Sequence, residues 1–254
     1  MTTPSQETPK LGVVPIEVRN TAPAGAPNQH QHQHQNPAAS GAAAPSSVVM
    51  TRLREETAQM HKEAETRPFQ LALMRGQVTR EQYASWLSQM WIVHRALDAA
   101  MHAAAAQVRE IRTIVTPEQY QEGYLAADLD YLGVNREQVK PLPATTEFVQ
   151  MIGWIATDAP LLLLGIHYVL EGSKNGNKFI ARAVRPALGL TKGTGDRYLD
   201  TYGEQQPALW AKFKADMGAI EFTSEQVDGL VAAAKETFKG VTQISEELMS
   251  PAKA

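Results

Sequence analysis

The chain has 254 residues, with 24 Lys and Arg against 27 Asp and Glu, a formal net charge of −3 with neutral histidines. That balance argues against general nucleic-acid binding, which draws on clustered positive charge. There are no cysteines, which excludes disulfides, thiolate metal ligands and a cysteine nucleophile.

Residues 1–48 are rich in Pro, Ala, Gln, His, Ser and Thr and carry little apolar periodicity. Such a segment cannot bury enough surface to offset the entropy of ordering it, so a disordered tail is expected. It includes "QHQHQHQ" at 29–35. Those imidazoles could take up metal ions, but a low-complexity tail without a ligand is the simpler reading. The basic and apolar regions of a signal peptide are missing. No apolar run reaches the roughly 18 residues of a membrane span. A soluble cytoplasmic protein is expected, with residues 49–250 forming one domain.

Helix signals dominate that domain. "TREQ" at 79–82, "TPEQ" at 116–119 and "TSEQ" at 223–226 fit the capping box, a Thr N-cap with Gln three residues on. Pro117 sits at the favoured first helical position, and Gly133 after "ADLDYL" reads as a stop. Helices are predicted at about 49–66, 79–110, 117–132, 144–157, 160–188, 204–218 and 224–248. Breaks are expected at Pro68 and Gly76, near Thr113, at "KPLP" (140–143), at "GLTKGTG" (189–195) and at "EFT" (221–223). No alternating strand pattern stands out, so the fold class is all-α, a multi-helix bundle.

In the first helix, Leu53, Thr57, Met60 and Ala64 share one side, and His61 lies beside that stripe. Glu65, four residues on, can accept the imidazole N–H and fix its tautomer. Arg54 shares the face about 10 Å away along the axis. This set suits a flat, anionic, iron-bearing ligand, with iron on His61 and a carboxylate on Arg54. A half-buried helix with a His–Glu surface pair explains the helix alone more simply. His94, His102 and His167 read as solvated or core histidines. Glu65, Glu171, Asp128 and Asp158 lack the paired Glu-x-x-His spacing of a di-iron bundle site.

The apolar run "APLLLLGIHYVLEG" continues into "SKNGNKF", where glycine and asparagine weaken a helix. Gly165, Gly172 and Gly176 nearly align on one face. A stripe without side chains either lets backbone approach a flat ligand or packs closely on another helix, and the pattern leaves both open.

Six segments in order resemble the haem oxygenase family: "LREETAQMHKEAE", "GQVTREQY", "LAADLDYLG", "APLLLLGIHYVLEGSKNGNKF", "FKADMGAIEFTSEQ" and "AKETFKGVTQISEEL". The resemblance covers about residues 50–248, and "YVLEGS" is similar to the bacterial branch. It implies the single-domain helical fold of that family, with His61 as the axial ligand of haem b and Glu65 as its hydrogen-bond partner. Arg54 and Lys214 match basic positions that hold haem propionates, and Phe238 matches an aromatic in the pocket wall. Gly172 and Gly176 match glycines over the haem, and Ser173 takes a position where animal enzymes carry aspartate.

The implied activity is oxidative opening of haem by O2 and electrons to biliverdin, carbon monoxide and Fe2+. Ferredoxin or a flavoprotein reductase would be the donor. The reaction is substrate-assisted and needs no acid–base dyad. Three departures from the family pattern stand out. Asn177 replaces the second glycine of a pair, Lys174 and Asn175 are polar where relatives often carry a hydrophobic residue, and His94 stands where a distal tyrosine is expected. They leave a non-catalytic haem or bilin carrier as the alternative. A di-iron or thiaminase-like enzyme on the same architecture is a weaker one.

Overall fold

The computed structural model describes residues 47–249. The tail expected over 1–48, with its His/Gln stretch, lies outside the described residues except for Ser47 and Val48. Those two already belong to the fold: Ser47 is the N-cap of α1 (Val48–Glu65), and its hydroxyl accepts the Met50 N–H. There follow α2 (Pro68–Met74), α3 (Arg80–Ala104), α4 (Arg109–Ile114), α5 (Glu122–Leu132), α6 (Pro143–Asp158), α7 (Leu163–Leu188), α8 (Gln206–Gly218) and α9 (Ser224–Met249). Among the described residues there is no strand, only an isolated bridge between Thr191 and Thr194. The all-α expectation holds. No described helix is long and apolar enough to cross a membrane.

The capping signals act as the sequence implied, with one change of consequence. Gln82 accepts the Thr79 N–H at 2.9 Å, and Gln226 accepts the Thr223 N–H at 2.9 Å. Gly133 ends α5 with φ 77°, where a residue with Cβ is strained. At Thr116, however, Gln119 closes only a 3₁₀ turn over Pro117–Gln119, and α5 starts at Glu122 instead of 117. The cause is tertiary. Asp98 on α3 accepts the N–H groups of Gln121 and Glu122, both at 2.8 Å, and so caps α5 from another helix.

Two further boundaries differ from expectation. The helix expected over 79–110 is two helices, because the chain turns at 105–108 with Val108 N–H returning to Ala104 O. The break expected at Pro68 follows the end of α1 at Glu65, but Pro68 also opens α2, a short helix absent from those predicted, where its missing N–H is harmless.

The core is apolar and continuous. Leu53, Leu73, Leu87, Leu97, Leu125 and Leu129 are fully buried, each contributing about 1.5–3 kcal/mol relative to exposure. Both α1 and α7 pack on α9. Where α7 meets α9, a Cβ on Gly165 would stand 2.3 Å from the Leu230 carbonyl oxygen. Only a hydrogen atom fits there, so α7 and α9 lie in close contact, and together with α1 they border an open space.

Candidate functional site

That space is a cavity of about 770 Å³, within the roughly 300–1,000 Å³ range of small-molecule sites. From α1 it receives Arg54, Thr57, Ala58, His61, Ala64 and Glu65, one helix face at i, i+3, i+4, i+7 spacing. From α7 it receives Tyr168, Gly172, Ser173, Asn175, Gly176 and Asn177. Trp86, Met90, Tyr198 and Trp210 add apolar wall, and α9 contributes Phe238, Val241, Thr242 and Ser245.

His61 stands on the α1 wall with its side chain 56% exposed. Its ring meets Phe238 edge-on at 5.7 Å between centroids. His61 Nδ1 lies 3.6 Å from Glu65 Oε1, longer than a formed hydrogen bond. A part-exposed imidazole on the cavity wall, with a carboxylate near its Nδ1, is a donor set that fits iron. Arg54 lines the same cavity and pairs with Glu55 at 3.0 Å, both exposed. Burial raises the Tyr168 phenol above its usual range, and the Arg54 charge opposes that rise.

Across the cavity, α7 runs unbroken through its glycines. A Cβ on Gly176 would meet nothing within 4 Å, so the backbone is bare toward the cavity. One on Gly172 would come 3.3 Å from the edge of Trp210. The three aligned glycines therefore divide: Gly165 serves helix packing, Gly176 serves the open surface, and Gly172 seats an aromatic wall residue. Ser173 Oγ donates to Leu170 O at 2.7 Å, and Asn175 Nδ2 donates to Gly172 O at 2.9 Å. Both side chains satisfy the helix they belong to.

The polar departures have different fates. Lys174 is buried on the other side of α7, where its Nζ donates to Glu171 Oε2 at 2.7 Å and to the Tyr202 hydroxyl at 2.8 Å. Burial pulls the Lys174 ammonium down and Glu171 pulls it back. Asn177 is buried and lines the cavity, and its side-chain amide has no hydrogen-bond partner among the described residues.

Two sequence-derived candidates do not line the cavity. His94 sits behind it, buried, with Nε2 3.2 Å from the hydroxyl of Tyr198, because its place on α3 turns it into the core. Burial holds this imidazole neutral down to about 3, with Lys174 and His167 adding to the effect. Lys214 lies in solvent one turn beyond Trp210, its Nζ 5.7 Å from that ring. His167 is likewise a core residue, 3.3 Å from Gln119 Oε1, and His102 stacks on Tyr120.

Glu65, Glu171, Asp128 and Asp158 do not converge, and among the described residues no three metal-ligating side chains gather. Trp86, Met90, Tyr168, Tyr198 and Trp210 were missed because each is an ordinary apolar-pattern or loop residue in sequence. Only the register of four elements brings them to one wall.

A haem oxygenase family model matches residues 47–247. Over 150 residues the chain is 31% identical to haem oxygenase 2 of Synechocystis sp., a match covering 57% of this chain and 58% of that protein. It is 24% identical over 208 residues to a haem oxygenase of Guillardia theta, covering 80% of this chain and 87% of the relative. In fold it is similar to the crystal structure of Synechocystis haem oxygenase-2 in complex with haem and NO. The TM-score is 0.74 at 23% identity, over 79% of this chain and 84% of that one. The family match runs from the cap of α1 almost to the end of α9 and takes in every element around the cavity, so the chain belongs to the haem oxygenase family.

Proposed function

We propose that the protein is a haem oxygenase, opening haem with O2 and donated electrons to biliverdin, carbon monoxide and Fe2+. The observation that carries this reading is a cavity with an imidazole on one wall, His61, and bare helix backbone at Gly176 among its other lining residues. Haem, when bound, supplies both the iron at which O2 is activated and the ring carbon that is oxidised. His61 would hold the iron from the α1 side, and Glu65 would accept a hydrogen bond from Nδ1–H and so fix the tautomer. Arg54, exposed at the cavity, offers a fork for a propionate once it leaves Glu55. Without a side chain at Gly176, the α7 backbone can lie close to the ligand. Trp86, Met90 and Phe238 exclude water from its apolar body.

The donor, a ferredoxin or flavoprotein reductase, and a cytoplasmic setting belong to the same reading. Titration with haem should give a Soret band saturating at one haem per chain, and reductant with O2 should then release biliverdin. His61→Ala should lose that spectrum; unchanged affinity and spectrum would exclude His61 as the ligand.

Asn177, an amide in the cavity wall without a side-chain partner among the described residues, favours a second reading: a haem or bilin carrier with slow or no ring opening. It predicts tight haem binding without biliverdin, and turnover gained on Asn177→Gly.

A further inference from the structure

We propose that the Tyr198 hydroxyl is a polar contact for the ligand of the main cavity, and that His94 is the buried residue that positions it. The proposal rests on the haem-binding reading above and deepens it.

The cavity wall carries the hydroxyls of Thr57, Tyr168, Ser173, Tyr198, Thr242 and Ser245, and three of them are committed to their own helices. Thr57 Oγ1 donates to Leu53 O at 2.6 Å, Ser173 Oγ to Leu170 O at 2.7 Å and Ser245 Oγ to Val241 O at 2.8 Å. Tyr198 differs. It comes from the segment after α7, is 3% exposed, lines the cavity, and its hydroxyl meets a side chain from another element, His94 on α3. The two rings touch edge-on at 5.3 Å, and Trp86 packs on Tyr198 at 5.8 Å.

The segment that presents Tyr198 is held firmly. The N–H groups of Arg197 and Tyr198 donate to the two oxygens of Asp128, each at 2.9 Å. Thr201 Oγ1 donates to Tyr198 O at 3.2 Å, and the Tyr83 hydroxyl donates to Gly195 O at 2.9 Å. These bonds hold the backbone on both sides of Tyr198, while Trp86 and His94 pack on its ring.

The chemistry of the pair then follows. A neutral imidazole nitrogen either accepts or donates, and a phenol can do both. If the phenol donates to His94, its oxygen is left to accept from the cavity. If His94 donates, the phenolic hydrogen is left to point into the cavity. In either arrangement one hydrogen-bonding capacity of the phenol is left over beside a cavity lined also by Trp86, Met90 and Ile180, where an unused one is costly. Burial raises the Tyr198 phenol as it lowers His94, so both stay neutral. The pair is thus a directed dipole without net charge. A purely structural role would be met by phenylalanine, which fills the same volume.

The test uses the full chain loaded with haem, in wild type, Tyr198→Phe, His94→Gln and the double variant. Two readouts besides turnover are recorded: the C–O stretch of the ferrous complex with added carbon monoxide, and the pH midpoint of the ferric absorption change. Tyr198→Phe should keep haem affinity within about threefold, yet move the stretch, or shift the midpoint by about 0.4–1 pH unit, the scale of one neutral hydrogen bond. His94→Gln should move the same readouts less, and the double variant should match Tyr198→Phe. If folded, haem-loaded Tyr198→Phe matches wild type in both readouts, the proposal is overturned. A double variant shifted well beyond Tyr198→Phe would remove His94 from the positioning role. If wild type binds no haem, the functional reading falls and this proposal with it; if wild type binds haem normally and only the readouts stay fixed, this proposal falls alone.

Discussion

The two ends of the glycine stripe on α7 face opposite situations. At Gly165 the helix presses on α9 so closely that a methyl group has no room. At Gly176, eleven residues further along by numbering, the same kind of residue faces empty space. The opposite side of α7, between them, holds a buried ion pair, Glu171 with Lys174. One helix therefore contains a packing glycine, a surface glycine and a buried charge pair within a few turns. Residue type alone distinguishes none of these roles; the neighbour across the gap does.

The sharpest way to break this comparison is at the ion pair. Lys174→Ala should leave the Glu171 carboxylate buried without its partner and lower stability by about 3–5 kcal/mol, measured by urea unfolding. The apolar double variant Glu171→Leu with Lys174→Met should recover most of that loss, since the pair stabilises less than its separation destabilises. Next in size, Gly165→Ala must push α7 off the Leu230 carbonyl. A loss of about 1–3 kcal/mol is expected, the scale of an overpacked contact.

Gly176→Ala should do the reverse. It meets nothing, so the fold gains about 0.5–1 kcal/mol of helix propensity while haem affinity falls, read as a higher melting temperature beside a weaker haem titration. If both glycine variants destabilised alike, the division of the stripe would be wrong. Gly172→Ala should have the smallest effect, within about 0.5 kcal/mol, because the propensity gain is offset by pressure on Trp210. Its clearest sign would be a change in tryptophan fluorescence.

Much of the frame was legible from local chemistry. Thr–x–x–Gln boxes at 79–82 and 223–226 close hydrogen bonds between residues three apart, so sequence contains both partners. The same signal at 116–119 misled, because the start of α5 depends on Asp98, more than twenty positions away. The site divides along the same line. His61 and Glu65 are one helical turn apart and share the cavity wall. His94 stands where the resemblance expects a distal tyrosine, but its helix turns it into the core, and Tyr198 lines the wall instead.

By itself the sequence determined the all-α class, most helix limits, and the first-helix face that carries Arg54, His61 and Glu65. These depend on caps and periodicities contained within a few turns of chain. Only the tertiary structure decided that Gly165 packs while Gly176 stays bare, that Lys174 turns away from the cavity to Glu171 and Tyr202, and that Asn177 remains in its wall. Each of those outcomes is set by which surface lies opposite, and that surface comes from distant chain brought close by burial of the common core.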